Sequence, residues 1–233
     1  MDIHKPKPWH GWREFLKEYV IIVVGVLTAL GAEAVVSNLH EARLSAEAKE
    51  AVLDEINVNI TFHAARLESE ACIARRIDEI GTLLDKAEAG EPFAPPARMA
   101  GPPALYVYMS RWSAATAGGR TSLLSSREQR QFGRVYAELE HLQQFQQAEA
   151  EAWFTLRALV GRKHLSQGLI DQERIALAHA RPLDAAVANA FENARFYARE
   201  LGVKGDARID YARKMSPGPS PICRPMTDSN PAG

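Results

Sequence analysis

Proline is missing from residues 9–91, and residues 104–216 hold only Pro182. Proline removes a helix hydrogen bond and clashes with the preceding turn, so helices are confined to such gaps. Cysteine is scarce too. Cys72 and Cys223 alone exclude a metal knuckle and a disulfide-rich scaffold. In an oxidising compartment the two could pair, tying the tail to the first helical region; otherwise Cys72 serves as a small buried hydrophobe. A surplus of one charge is lacking: a net charge of −1 gives no basic face of the kind nucleic acid requires. Strand alternation of useful length is missing, apart from the short LYVYM at 105–109. No His-Glu-x-x-His, Gly-x-Ser-x-Gly or P-loop occurs.

What is present starts with one apolar run. Tyr19–Val36 reads YVIIVVGVLTALGAEAVV, with Glu33 as its single charge. A helix of that length spans ~27 Å, close to the hydrocarbon thickness of a bilayer. Residues 1–18 carry Lys5, Lys7, Arg13 and Lys17, whereas residues 37–54 carry only Arg43 and Lys49. Basic residues are retained on the cytoplasmic side, so the expectation is a cytoplasmic N-terminus. The chain from about Ser37 onward is then periplasmic, beyond a bacterial inner membrane. Trp9, Trp12 and Tyr19 suit the headgroup region. The rival expectation is a cleaved signal peptide, because Ala32-Glu33-Ala34 has the small-x-small pattern. Against cleavage, the helical pattern runs on past Ala34, with no glycine or proline between Gly31 and Gly81.

Beyond the run, apolar residues recur at Val52, Ile56, Ile60, Leu67, Ile73, Ile77, Ile80 and Leu84, in a column that also takes His63 and Glu70. Alternating steps of three and four mark an amphipathic helix with one buried stripe. It should continue from the apolar run and end near Gly90, with possible weakness at Gly81. Ser125 and Glu128 have capping-box spacing, opening a helix whose stripe runs from Phe132 to Val160. A short helix is expected at Arg111–Ala117, another near Ile170–Ala180, and a last one with Pro182 in its first turn. The chain thus divides into a basic segment (1–18), a membrane helix (19–36), a long amphipathic helix (37–90), a Pro-rich linker (91–105), a helical bundle (106–215) and a disordered Pro-rich tail (216–233). The class is all-α, a small antiparallel bundle beyond a membrane helix.

Each chemical constellation has a plainer reading. Glu138 and His141 form Glu-x-x-His, the metal-binding unit of carboxylate bundles, but no second such unit exists. They are expected to form a solvated edge. Gly118-Gly119-Arg120-Thr121-Ser122 lacks the lysine of a phosphate loop and reads as a turn. Trp112, Trp153, Phe132, Tyr136, Phe145 and Phe154 read as core aromatics before they read as a ligand pocket. No cofactor or metal is expected. Gly25, Ala29 and Glu33 are spaced i, i+4, i+8 and share one face of the apolar run. Small residues there let helices approach closely, and a carboxyl on the same face can bond across. The alternative is that Glu33 only reaches the interface.

Residues 18–33, EYVIIVVGVLTALGAE, resemble the anchor of an uncharacterised bacterial family of small membrane proteins. The resemblance covers about residues 13–50. It implies a basic start, one span and a helical outer region, and adds no catalytic residue. The function expected is a non-enzymatic, membrane-tethered scaffold or accessory protein. Its partners would be the bilayer and a protein, or a second copy, met through the membrane helix. The alternatives are a periplasmic ligand-sensing bundle and, less favoured, an enzyme.

Overall fold

The computed structural model describes residues 11–205 and 220–227. Lys5, Lys7, Trp9 and the stretches 206–219 and 228–233 lie outside the described residues. Within them the chain is all-α: α1 Trp12–Leu67, α2 Glu70–Glu88, α3 Ser110–Ala117, α4 Ser126–Leu156 and α5 Gln167–Glu200.

α1 and α2 are two parts of one rod. Glu68 (φ −63°, ψ −18°) and Ser69 (φ −96°, ψ −6°) stay right-handed but flatten the turn, and Ser69 N–H donates to Arg66 O at 2.8 Å. The interruption falls here, with no side-chain cap from Ser69. It does not fall at Gly81, the expected weak point. Gly81 lies inside α2, where an added Cβ would sit 3.7 Å from Leu177 of α5. The rod ends at Gly90, whose φ of +71° is the left-handed cap.

α4 opens on the capping box: Ser125 Oγ accepts from Glu128 N–H, and Glu128 accepts from Ser125 N–H at 3.0 Å. α5 corrects the expected pair of helices, because Pro182 lies in its interior. An interior proline costs about 3 kcal/mol. Packing offsets that cost: Ala176, Ala180, Val187, Ala190, Ala194 and Ala198 are all buried along the faces of α5. Small side chains at steps of four before the proline, and of three and four after it, let the neighbouring helices come close on both sides.

Side-chain pairs set the directions. Lys49 meets Glu128, Glu55 meets Tyr136, and Arg66 meets Glu149, so α1 and α4 run parallel. Glu138 meets Asn193, and Arg181 and Arg174 of α5 meet Asp78 and Asp85 of α2, so α5 is antiparallel to both. Parallel neighbours require the chain to return between them. Residues 91–109 make that return as an extended strap, and α3 completes it with a turn of 3-10 helix at Arg120–Leu123. The strap climbs in register: Pro96 O accepts from Gly161 N–H, Leu105 N–H donates to Gln146, and Tyr108 pairs with Asn59. At Gly101 it runs so close to α4 that an added Cβ would lie 3.1 Å from the Trp153 Cβ.

Two apolar clusters fill the bundle. One joins Val52, Ile56 and Ile60 to Phe132, Leu139 and Phe191. The other joins Ile73, Ile77 and Ile80 to Trp153, Leu156 and Ala180, and takes in Ile222 and Met226. That last pair departs from the disordered tail expected over 216–233. Ser220–Thr227 is folded onto α2, with Ile222 fully buried. Cys72 and Cys223 are joined by a disulfide, Arg75 donates to Cys223 O, and Arg76 donates to the carbonyls of Ile222 and Arg224. Met226 O in turn accepts from Ala97 and Arg98 of the strap.

Trp153 is 2% exposed at the centre of the second cluster. Trp153→Ala should therefore destabilise the bundle by roughly 3–5 kcal/mol in chemical denaturation. An unchanged midpoint would mean the indole contributes no packing there.

Candidate functional site

Two features stand apart from ordinary bundle packing: an uncovered apolar stretch on α1 and a buried polar column on the same helix. The stretch is an 18-residue window of mean hydropathy 2.3 with none of its residues buried. It is long and apolar enough to cross a membrane, measures that an anchor and a signal sequence both satisfy. Ile21, Ile22, Leu27, Val36 and Leu39 are each more than 60% exposed, a state water does not favour for so many large side chains at once. Phe15 lies between Trp12 and Tyr19, tilted against the first at 5.9 Å and stacked on the second at 6.3 Å between ring centroids. Gly25, Ala29 and Glu33 follow one another along one exposed face, and nothing approaches within 4 Å of a Cβ built on Gly25. Thr28 returns its hydroxyl to Val24 O at 2.7 Å.

The polar column is Glu55, Asn59, His63 and Arg66, one residue per turn beside the apolar stripe. Glu55 is 4% exposed and takes four donors: Arg111 N–H (2.7 Å), Trp112 N–H (3.1 Å), Ser110 Oγ (3.1 Å) and Tyr136 OH (2.7 Å). α3 has no side-chain cap of its own, so Glu55 serves as its N-terminal acceptor from another helix. Burial, reinforced by Glu55, pushes the Tyr136 phenol up, so it remains a donor. Asn59 both donates to Tyr108 O (2.7 Å) and accepts from Tyr108 N–H (2.8 Å). His63 Nδ1 lies 2.9 Å from Asn59 O, which can only accept, so this nitrogen carries the proton. Burial lowers the pKa of His63 and keeps the ring neutral.

Arg66 ends the column, 4% exposed, bonded to Glu149 at 2.9 Å and to Asp184 at 2.8 Å. It joins α1, α4 and α5 between the two apolar clusters. Burial raises both acids, Glu149 to about 7 against the pull of Arg66. Glu173 on α5 is different: it is fully buried and neither carboxyl oxygen has a partner among the described residues. Burial alone pushes it to about 7.

The other constellations resolve into structure. His141 Nδ1 lies 3.8 Å from Glu138, which also accepts from Asn193 at 3.4 Å. Among the described residues no group of three or more His, Cys, Asp or Glu is arranged to hold a metal ion. Trp112 stacks on Tyr136 at 4.9 Å with an interplanar angle of 7°, while Phe154 is 72% exposed. Gly118–Ser122 forms the link into the 3-10 turn, with Gly119 at φ +68°. The column itself was not read from the sequence, where His63 counted as part of the apolar stripe. Its signal is a second set of positions at 55, 59, 63 and 66, polar throughout, one residue behind Ile56 and Ile60. In chemical terms the column binds backbone. Its groups are spent on strap amides, a helix terminus and an ion pair. Comparison with protein-family models, curated proteins and solved structures finds no match.

The raised acids make stability depend on pH. Unfolded, a glutamate titrates near ~4.3, so the folded state holds extra protons up to about 7. Stability contributed this way is present at low pH and lost as pH rises through that window. His63, lowered by burial, acts in the opposite sense below its ordinary value. Glu173→Gln isolates one group: it should stabilise the protein by roughly 2 kcal/mol at pH 8 and by much less at pH 5 in urea melts. An equal effect at both pH values would show that no buried charge was removed.

Proposed function

We propose that this chain is a membrane-tethered helical scaffold or accessory protein without enzymatic activity. Its apolar helix spans a bacterial inner membrane, and its bundle stands on the periplasmic side. One observation carries this reading: the uncovered apolar window belongs to a helix that continues unbroken into the bundle core. A segment destined for removal would take the first part of α1 with it, yet α1 is one helix from Trp12 to Leu67. The basic residues on the N-terminal flank favour the orientation. The Cys72–Cys223 disulfide fits an oxidising compartment. The resemblance of residues 13–50 to a family of small single-pass proteins implies the same arrangement.

The non-enzymatic part of the proposal rests on where the buried polar groups go. Glu55, Asn59 and Gln146 each bond backbone of the strap or α3, and Arg66 is held by two acids. What the chain offers a protein partner is the Gly25, Ala29 and Glu33 face of α1, where a second helix could approach closely.

Two measurements test this. An alkaline phosphatase domain fused after Gly90 should be active, and a reporter that folds only in the cytoplasm should be inactive at the same site. The reverse pattern would overturn the orientation. Gly25→Leu should abolish self-association or partner capture in a membrane two-hybrid assay while insertion persists, since leucine favours the bilayer. Val24→Leu, off that face, should leave association intact. Equal behaviour of the two variants would reduce the stripe to lipid-facing anchor.

A further inference from the structure

Residues 118–134 carry four arginines, Arg120, Arg127, Arg130 and Arg134, against one acid, Glu128. That acid is already engaged: Lys49 holds it at 2.6 Å, and it closes the Ser125 capping box. Arg134 lies over the Tyr197 ring, 5.7 Å from its centroid. Arg120, Arg127 and Arg130 are exposed and have no acidic partner among the described residues. Three free guanidinium groups thus share one end of the bundle.

That end is the one nearest the apolar stretch. Ser45 Oγ donates to Leu123 O at 3.3 Å, tying the 3-10 turn to α1. Ser45 lies six residues beyond Leu39, the last of the large exposed apolar residues on this helix. Along one unbroken helix that is ~9 Å, and from Val36 it is ~14 Å. A headgroup layer is roughly 5–8 Å thick on each side of the hydrocarbon, and charges act over a further ~8 Å at physiological salt. The turn at Arg120 and the first turns of α4 therefore stand within reach of lipid phosphates. Guanidinium suits that partner, since its planar fork pairs two phosphate oxygens. The free acids of this region, Glu41 and Glu50, lie on α1 itself, and Glu47 is paired with Arg43.

We propose that Arg120, Arg127 and Arg130 form a docking surface for the phosphates of an anionic bilayer, the one that α1 enters. This rests on the membrane-tethered reading and adds to it that the bundle is seated on the lipid surface, not held free on a stalk. The full chain placed in lipid nanodiscs tests it, one set of phosphatidylcholine alone and one also containing phosphatidylglycerol. Amide hydrogen exchange over residues 118–134 should slow several-fold in the anionic discs only. The slowing should vanish in the combined Arg120→Gln, Arg127→Gln and Arg130→Gln variant and in high salt. Arg157→Gln with Arg162→Gln, basic residues at the far end of the bundle, should leave it unchanged. Equal exchange in the two discs, or loss of slowing in the far-end variant, overturns the surface while leaving the anchor intact. A chain that enters neither disc overturns the anchor, and this surface with it.

Discussion

Everything in this bundle depends on the strap that returns the chain from Gly90 to Ser125. Once α1 and α4 run parallel, some stretch must travel back along them; residues 91–109 do so in extended form, and α3 with the 3-10 turn completes the return. Its buried amides and carbonyls then need partners outside themselves. Asn59 pairs with both backbone groups of Tyr108, Gln146 accepts from Leu105, and Glu55 receives the first amides of α3. The prolines of 92–103 fit the same logic, because a residue without N–H asks for one partner fewer. The polar column on α1 is thus not a break in the hydrophobic stripe but the second half of its job. The stripe packs into the apolar clusters, Glu55 and Asn59 hold the strap and α3, and Arg66 reaches across to α4 and α5.

The closure at the other end follows from the same geometry. Where the strap begins, the second apolar cluster has α2, α4 and α5 on three sides but needs a fourth. Ser220–Thr227 supplies it, with Ile222 and Met226 in the cluster and Met226 O holding the strap. A segment of eight residues with so few contacts would not hold itself against its conformational entropy. The disulfide changes that balance: with its cysteines separated by 151 positions in sequence, closure removes ~5 kcal/mol of unfolded-chain entropy in the loop model. Arg75 and Arg76 then set the orientation by taking the carbonyls of the clasp.

Much of this architecture was legible before any coordinates. The proline gaps separate the helical regions, the capping box at Ser125 and Glu128 is present, and Gly90 carries the left-handed conformation that its place after the last stripe residue implies. The all-α class follows from periodicity alone. What escaped were features decided by tertiary partners. Local chemistry favours Pro182 at a helix start, yet burial of alanines on both sides holds α5 together. The interruption at Glu68–Ser69 has no glycine or proline to announce it. The polar column was hidden because a carboxylate or amide beside an apolar stripe looks like its solvated flank. Only the strap, arriving from fifty residues away, makes Glu55 and Asn59 interior.

The ion pair at Arg66 shows how these constraints meet in one place. It stands at the end of α1, one turn before the interruption, and joins three helices at the boundary between the two apolar clusters. A buried pair of this kind is weak evidence for stability, since desolvation consumes much of its Coulomb gain. Its better-attested use is registry. Apolar packing is non-directional, so on its own it fixes the register of α1, α4 and α5 less sharply than a polar contact does. A guanidinium that must find both Glu149 and Asp184 permits one register only. The same register places Asn59 against Tyr108 and Glu55 against α3, and so decides where the strap lies. Because α1 is continuous, it also decides how far the arginine-rich end of the bundle stands from the apolar stretch.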